Sequence, residues 1–167
     1  MGYKLSNLLT VESKASSVTR AASKTASANS GLLTIPQGLS EEEFHMMSKE
    51  LVERAGNISN DIVVQGSRAA GTASVTSDID IAIKVSSKQF DELIAKSFGE
   101  PNVGSAKWKT MQNAIKTGKI QSGEAGLRAL RKDLEKLLGK EVDISVIKEG
   151  GAFDNGAQIP VKPAKTN

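Results

Sequence analysis

Two aspartates one residue apart in an isoleucine-rich run, Ser77-Asp78-Ile79-Asp80-Ile81-Ala82-Ile83, constrain this chain more than any other stretch. Successive strand side chains point to opposite faces, so Asp78 and Asp80 share one face while Ile79, Ile81 and Ile83 line the other. A strand so patterned buries one side on a core and projects two carboxylates from its other side. Charges that close repel and raise each other's pKa unless something positive lies between them, and an all-oxygen pair suits Mg²⁺ or Mn²⁺. Standing alone, such a pair is more often a turn cap, here Asp78, and a solvent-facing strand residue, here Asp80.

It does not stand alone. The apolar run before it ends in Gly66-Ser67, a turn that lets backbone N–H groups and a hydroxyl approach phosphate oxygens. Together, turn and carboxylates suit a metal-bound nucleoside triphosphate. Phosphoryl or nucleotidyl transfer with two metals calls for a third acid near the attacking hydroxyl. The alternation in Glu141-Val-Asp-Ile-Ser-Val-Ile147 supplies one: Val142, Ile144 and Val146 face a core, while Asp143 and Ser145 face the other way. If this strand lies beside the one holding Asp80, Asp143 is the third carboxylate; otherwise it is a solvent-facing strand residue.

On these residues, Gly66-Ser67-Arg68-Ala69-Ala70-Gly71, Ser77-Asp78-Ile79-Asp80-Ile81 and Val142-Asp143-Ile144, the chain resembles the nucleotidyltransferase superfamily that includes DNA polymerase beta, and most closely its minimal bacterial members. Ala70 departs from the arginine often found there. The stretch from Asp80 to Asp143 is long for a minimal member, which implies an inserted helical portion shaping the acceptor site. Two further segments, Ile35 to Phe44 and Gly150 to Pro160, are similar to C-terminal toxin domains of bacterial polymorphic toxins of the contact-dependent inhibition and Rhs types. That resemblance implies a domain secreted within a larger protein, delivered to the cytoplasm of a neighbouring cell and neutralised in its producer by a cognate immunity protein.

With 167 residues, 38% apolar and 25% charged, the chain has material for one globular catalytic domain plus a tail. It contains no cysteine, which excludes disulfides, thiolate metal sites and a Cys nucleophile. The single histidine, His45, reads as a surface or packing residue rather than a catalyst. No apolar run is long enough to span a bilayer and no signal-peptide core is visible, so stable membrane insertion is not expected. Met1 to Ser6 fits a myristoylation pattern and is treated as coincidence. A net charge of +3 points mildly to a polyanionic partner. Its distribution is more informative, because Lys107, Lys109, Lys116, Lys119, Arg128, Arg131 and Lys132 face a single acid, Glu124, between Ser105 and Lys132. Such a surface could grip RNA, with Trp108 either stacking a base or, as preferred here, sitting in the core.

Residues 1–30 are rich in Ser, Ala, Thr and Lys without a sustained apolar period and read as a flexible lead or linker, leaving residues 31–167 as the domain. Ser40 with Glu43 forms a capping box that opens a helix from Glu41 to Ala55, closed by Gly56, whose Phe44, Met47 and Leu51 form an apolar stripe. Strands are expected at Asp61 to Gln65, Ile79 to Val85 and Glu141 to Ile147, with a short helix after Ser67 and a further short strand at Gln158 to Val161. Lys88 to Phe98 reads as a helix broken at Gly99 to Gly104, and Glu124 to Leu138 as an amphipathic helix ended by Gly139. The order of elements defines an α/β or α+β domain, a small mixed sheet with helices packed on it.

The resulting expectation is transfer of a nucleoside monophosphate from an NTP to a hydroxyl with release of pyrophosphate. Asp78, Asp80 and Asp143 serve as metal ligands and catalytic acids, and Gly66 and Ser67 hold phosphates. Arg68 either neutralises phosphate or fixes the turn by pairing with an acid. Lys84, on the face of Asp80, either approaches the nucleotide or, more safely, makes a surface ion pair. The favoured acceptor is the 3′ end of a tRNA. Modification of a protein hydroxyl (AMPylation), an inactive binding module and a ribonuclease are the rival readings.

Overall fold

The structure, a computed structural model, describes residues 33–161. The expected lead, residues 1–30, lies outside the described residues. Ten elements follow one another: α1 (Glu41–Ala55), β1 (Ile62–Gln65), α2 (Ser67–Ala70), β2 (Ile79–Val85), α3 (Ser87–Phe98), α4 (Ala106–Thr117), β3 (Lys119–Gln121), α5 (Arg128–Leu138), β4 (Val142–Lys148) and β5 (Gln158–Pro160). The strands form one mixed sheet in the order β3-β4-β2-β1-β5. Only β2 and β4 run parallel; the β1–β2, β1–β5 and β3–β4 pairs are antiparallel.

Alternation decides which face is dry. Val64, Ile79, Ile81, Ile83, Ile144 and Val146 lie on one face and are at most 1% exposed. Helix α5 packs on β4 and against α1, and their buried residues, Leu130, Leu134 and Leu138 with Met47, Leu51 and Ala55, complete this core. The opposite face carries Gln65, Asp80, Lys84 and Asp143, all partly exposed. Beside them on that face, Val63, Ala82 and Ile147 form a small buried apolar cluster.

The capping box at α1 forms as expected, with the Glu43 amide donating to Ser40 Oγ at 3.1 Å and the Ser40 amide to Glu43 Oε2 at 2.8 Å. His45 is exposed, and Phe44 is only half-buried. The amphipathic helix near the C-terminus starts later than expected, at Arg128 rather than Glu124. Residues 122–127 form a turn instead, with the Leu127 amide donating to the Ser122 carbonyl and Gly126 at φ +75°, which no α-helix accommodates. Two elements go beyond the sequence-based expectation, helix α4 and the short strand β3. Trp108 on α4 is half-buried, not a core residue, so the packing role expected for it holds only in part.

Candidate active site

Strand register brings the acids together. Asp80 on β2 and Asp143 on β4 are direct partners across the parallel pair, so their side chains leave the same face of adjacent strands. Asp78 lies two residues before Asp80, just ahead of β2, and is exposed. Burial first, then the neighbouring charges of Asp78 and Asp143, hold the Asp80 carboxyl above its ordinary value of 3.8, with Lys119 pulling the other way. The three carboxylates therefore act on one another electrostatically.

Lys119, at the start of β3, extends its Nζ to 3.6 Å from Asp143 Oδ2. The same ammonium lies 4.8 Å from the centre of the Phe153 ring. Neither residue was singled out for this site by sequence reasoning: β3 is too short to show a period, and Phe153 sits in a glycine-bearing loop.

Gly66 makes the closest approach to the acids. It has φ +75° and ψ −157°, a conformation open essentially to glycine alone, and a Cβ built on it would run into Asp80 Oδ2. Glycine there lets the chain pass directly beside a carboxylate on its way into α2. Gly66 and Ser67 line a cleft of about 430 Å³ whose other wall is Phe153, Asn155, Gly156 and Ala157. Ala70 lines it too, so the position where an arginine is often found presents no charge to the cleft.

Arg68 is placed differently from the phosphate role considered for it. It is 2% exposed and its guanidinium is turned into the backbone. Nε and Nη2 donate to the Ser77 carbonyl at 3.0 and 2.6 Å, Nη1 to the Gln37 carbonyl at 2.7 Å, and Nη2 also to the Ser74 carbonyl at 3.4 Å. The turn is fixed, as the second reading expected, but through carbonyl oxygens and not through an acid. A side chain with its donors committed this way is not available to a triphosphate. Gln37 completes the clamp: its amide donates to the Arg68 carbonyl and its Oε1 accepts from the Ala73 amide. Ser77 directly precedes Asp78, so this buried cation sets the backbone from which the first acid projects.

Lys84 makes the ion pair expected of it, though a largely buried one. Its Nζ is 3.0 Å from Asp154 Oδ1, with the two side chains 15% and 13% exposed, and donates to Gln158 Oε1 at 3.1 Å. Asp154 also accepts from the Gly150 amide at 2.8 Å and from Gln158 Nε2 at 2.9 Å. The loop carrying Phe153 is thereby tied to the site-bearing face of the sheet. The Gly150 amide above all, then Gln158 and Lys84, hold the Asp154 carboxyl down to about 2. Because the folded value lies below the ordinary 3.8, the contribution to stability is present above that value and is lost as pH falls towards 2. Hydrogen exchange at the Gly150 amide should accelerate over that acid range relative to amides of β2, and D154N should remove the pH dependence.

Whether these residues suit a divalent cation can be judged from the donors themselves. They are all carboxylate oxygens, the hard set that Mg²⁺ and Mn²⁺ take, and the raised Asp80 value marks charge that a cation would relieve. Among the described residues no three acidic or imidazole groups close into a ligand cage. Mg²⁺ seldom uses such cages; it binds one or two carboxylates and completes its shell with water and substrate phosphates. The donor set fits on that basis.

A mixed sheet carrying acids on paired parallel strands beside a Gly-Ser turn defines a phosphate-handling transferase. Consistent with this, the family model described as nucleotidyltransferase domain matches residues 46–158, which span β1 to β4 with their helices and reach into β5. The chain belongs to that family and is a nucleotidyltransferase enzyme. No curated protein and no solved structure matches the chain.

Proposed function

We propose that the chain transfers a nucleoside monophosphate from an NTP to the 3′ hydroxyl of an RNA, with tRNA as the favoured target, in a reaction dependent on Mg²⁺ or Mn²⁺. The observation that carries this reading is the pairing of Asp80 with Asp143 across β2 and β4, with Gly66 against the Asp80 carboxylate and the charge of Asp78 acting on it. A divalent ion bound there supplies charge neutralisation and orientation of the triphosphate. Asp78 and Asp80 would hold it, with Asp143 completing the set. Gly66 and Ser67 orient the β- and γ-phosphates in the adjoining cleft. Asp143 accepts the proton of the acceptor hydroxyl as its oxygen bonds to the α-phosphorus. The bond from that phosphorus to the oxygen bridging to the β-phosphate breaks, and pyrophosphate leaves.

The acid-free sequence of α4, with Lys107, Lys109 and Lys116 exposed on it, supports a polyanionic acceptor over a protein side chain. The likeness of residues 35–44 and 150–160 to polymorphic toxin domains supports a toxin delivered into a target cell's cytoplasm and restrained by an immunity protein. Incubating the protein with α-labelled NTPs, total RNA and total protein tests the acceptor. Label is expected in RNA of tRNA size; label confined to protein would replace this reading with AMPylation, and shortened RNA would indicate a ribonuclease.

A further inference from the structure

We propose that a second pocket, between α4, β3 and Phe153, is the subsite for the acceptor's terminal nucleobase, an unpaired base at the 3′ end of an RNA; the inference rests on the nucleotidyl-transfer reading above. The pocket holds about 120 Å³ and is lined by Asn113, Thr117, Lys119, Gln121, Phe153 and one acid, Glu124, among others. A closed cavity of about 150 Å³ takes one benzene ring, so this pocket admits a base edge-first and in part, with the rest of the base left outside.

Its position follows from the sheet. Phe153 lines both this pocket and the Gly66–Ser67 cleft, so the two adjoin at one aromatic side chain. Lys119 joins the pocket to Asp143 at 3.6 Å. Gln121 opposes Ser145 across β3 and β4, which makes it the diagonal neighbour of Asp143 on the same face. A nucleotide whose base enters here has its sugar hydroxyls towards Asp143, while the NTP occupies the adjoining cleft that Phe153 also lines.

Its chemistry suits a base. Phe153 is 38% exposed, one of few large apolar side chains left open to solvent, and it stands at the junction of the two pockets. A base of any identity can stack on the part of the ring that the Lys119 ammonium does not cover. Asn113 and Gln121 present amides that have no side-chain hydrogen-bond partner among the described residues, and amides offer both a donor and an acceptor to a base edge. Along α4, Lys109 and Lys116 each stand one residue before pocket-lining threonines, Thr110 and Thr117, so both flank the same edge of the pocket. There they would meet the phosphates that precede the terminal base.

The test uses the whole chain, a short single-stranded RNA carrying a 5′ fluorophore, and no NTP. Fluorescence anisotropy should show N113A and Q121A weakening RNA binding by about tenfold each, the size expected when one base loses its polar or stacking contacts. NTP binding in the presence of Ca²⁺, followed by calorimetry, should be unchanged in both variants. Wild-type levels of RNA binding in N113A and Q121A, with NTP binding intact, would overturn the subsite while leaving nucleotidyl transfer standing. Failure of the unaltered chain to bind any NTP would instead remove the reading beneath it. Circular dichroism of each variant separates loss of contacts from loss of fold.

Discussion

Replacing Asp78 and Asp80 together by Asn is expected to lower nucleotidyl transfer by about 10³-fold or more while raising the thermal stability of the metal-free protein. The first effect follows from losing the oxygens that hold the cation, because several kcal/mol of transition-state charge stabilisation depend on it. The second follows from the crowding of three carboxylates. Burial and the charges of Asp78 and Asp143 keep Asp80 above its ordinary value, so its ionised form is less comfortable in the folded chain than in the unfolded one. A carboxyl raised in this way costs nothing at a pH below its unfolded value of 3.8, and its destabilising effect grows as pH rises through the folded value. The gain in stability of the double variant should therefore be full at neutral pH and vanish in acid. Thermal melts in a metal chelator at pH 7 and pH 3.5, beside transfer assays with labelled NTP, check both halves. Undiminished labelling would show that transfer does not depend on these two acids, and a lowered melting temperature at pH 7 would contradict the electrostatic account of the site.

Arg68→Met is expected to destabilise the protein by about 2 to 4 kcal/mol, enough to lower the melting temperature by on the order of 10 °C. Its guanidinium satisfies carbonyls of Gln37, Ser74 and Ser77 from a position 2% exposed, and methionine would leave the buried part of that set unpaired. Room for the guanidinium is made on the other side by Gly38, where a Cβ would collide with Nη1. Arg68→Lys should recover little, since an ammonium cannot span three carbonyls with a planar fork. Loss of transfer activity should exceed the loss of folded protein, because Ser77 sets the backbone of Asp78. Activity normalised to folded fraction by near-UV circular dichroism distinguishes this from simple unfolding. A phosphate-binding arginine would behave otherwise, giving a weaker KM for NTP with an unchanged melting temperature.

The acids were legible in the sequence because a strand's period of two assigns each side chain to a face without further information. Asp80 and Asp143 needed only that period, and the assumption that their strands are neighbours is met by the β2–β4 register, whereas Asp78 lies just ahead of β2, where the period does not place it. Gly66 was legible for the same local reason, a turn conformation closed to other residues. Arg68 was not. Its position in a turn next to phosphate-binding residues says nothing of which way a long side chain swings, and Gln37, its partner, lies far back in the chain. Helix α4 escaped notice because only Ala114 within it is buried, so no apolar stripe marks it. The second wall of the site, Lys119 and Phe153, depends on tertiary placement of a three-residue strand and a loop.

The parallel pairing of β2 and β4 obliges the chain to leave one end of the sheet and travel back before the second strand can begin. Everything between Val85 and Val142 is thus an excursion from one end of the pair to the other, since Val85 lies opposite Lys148 and Val142 opposite Ile79. Lengthening a loop of that excursion alters the closure entropy only logarithmically, whereas exchanging the whole of it would take β3 from the sheet and α5 from the core. Insertions in the loops that join α3, α4, β3 and α5 are therefore the changes that this frame tolerates while Asp80 stays beside Asp143.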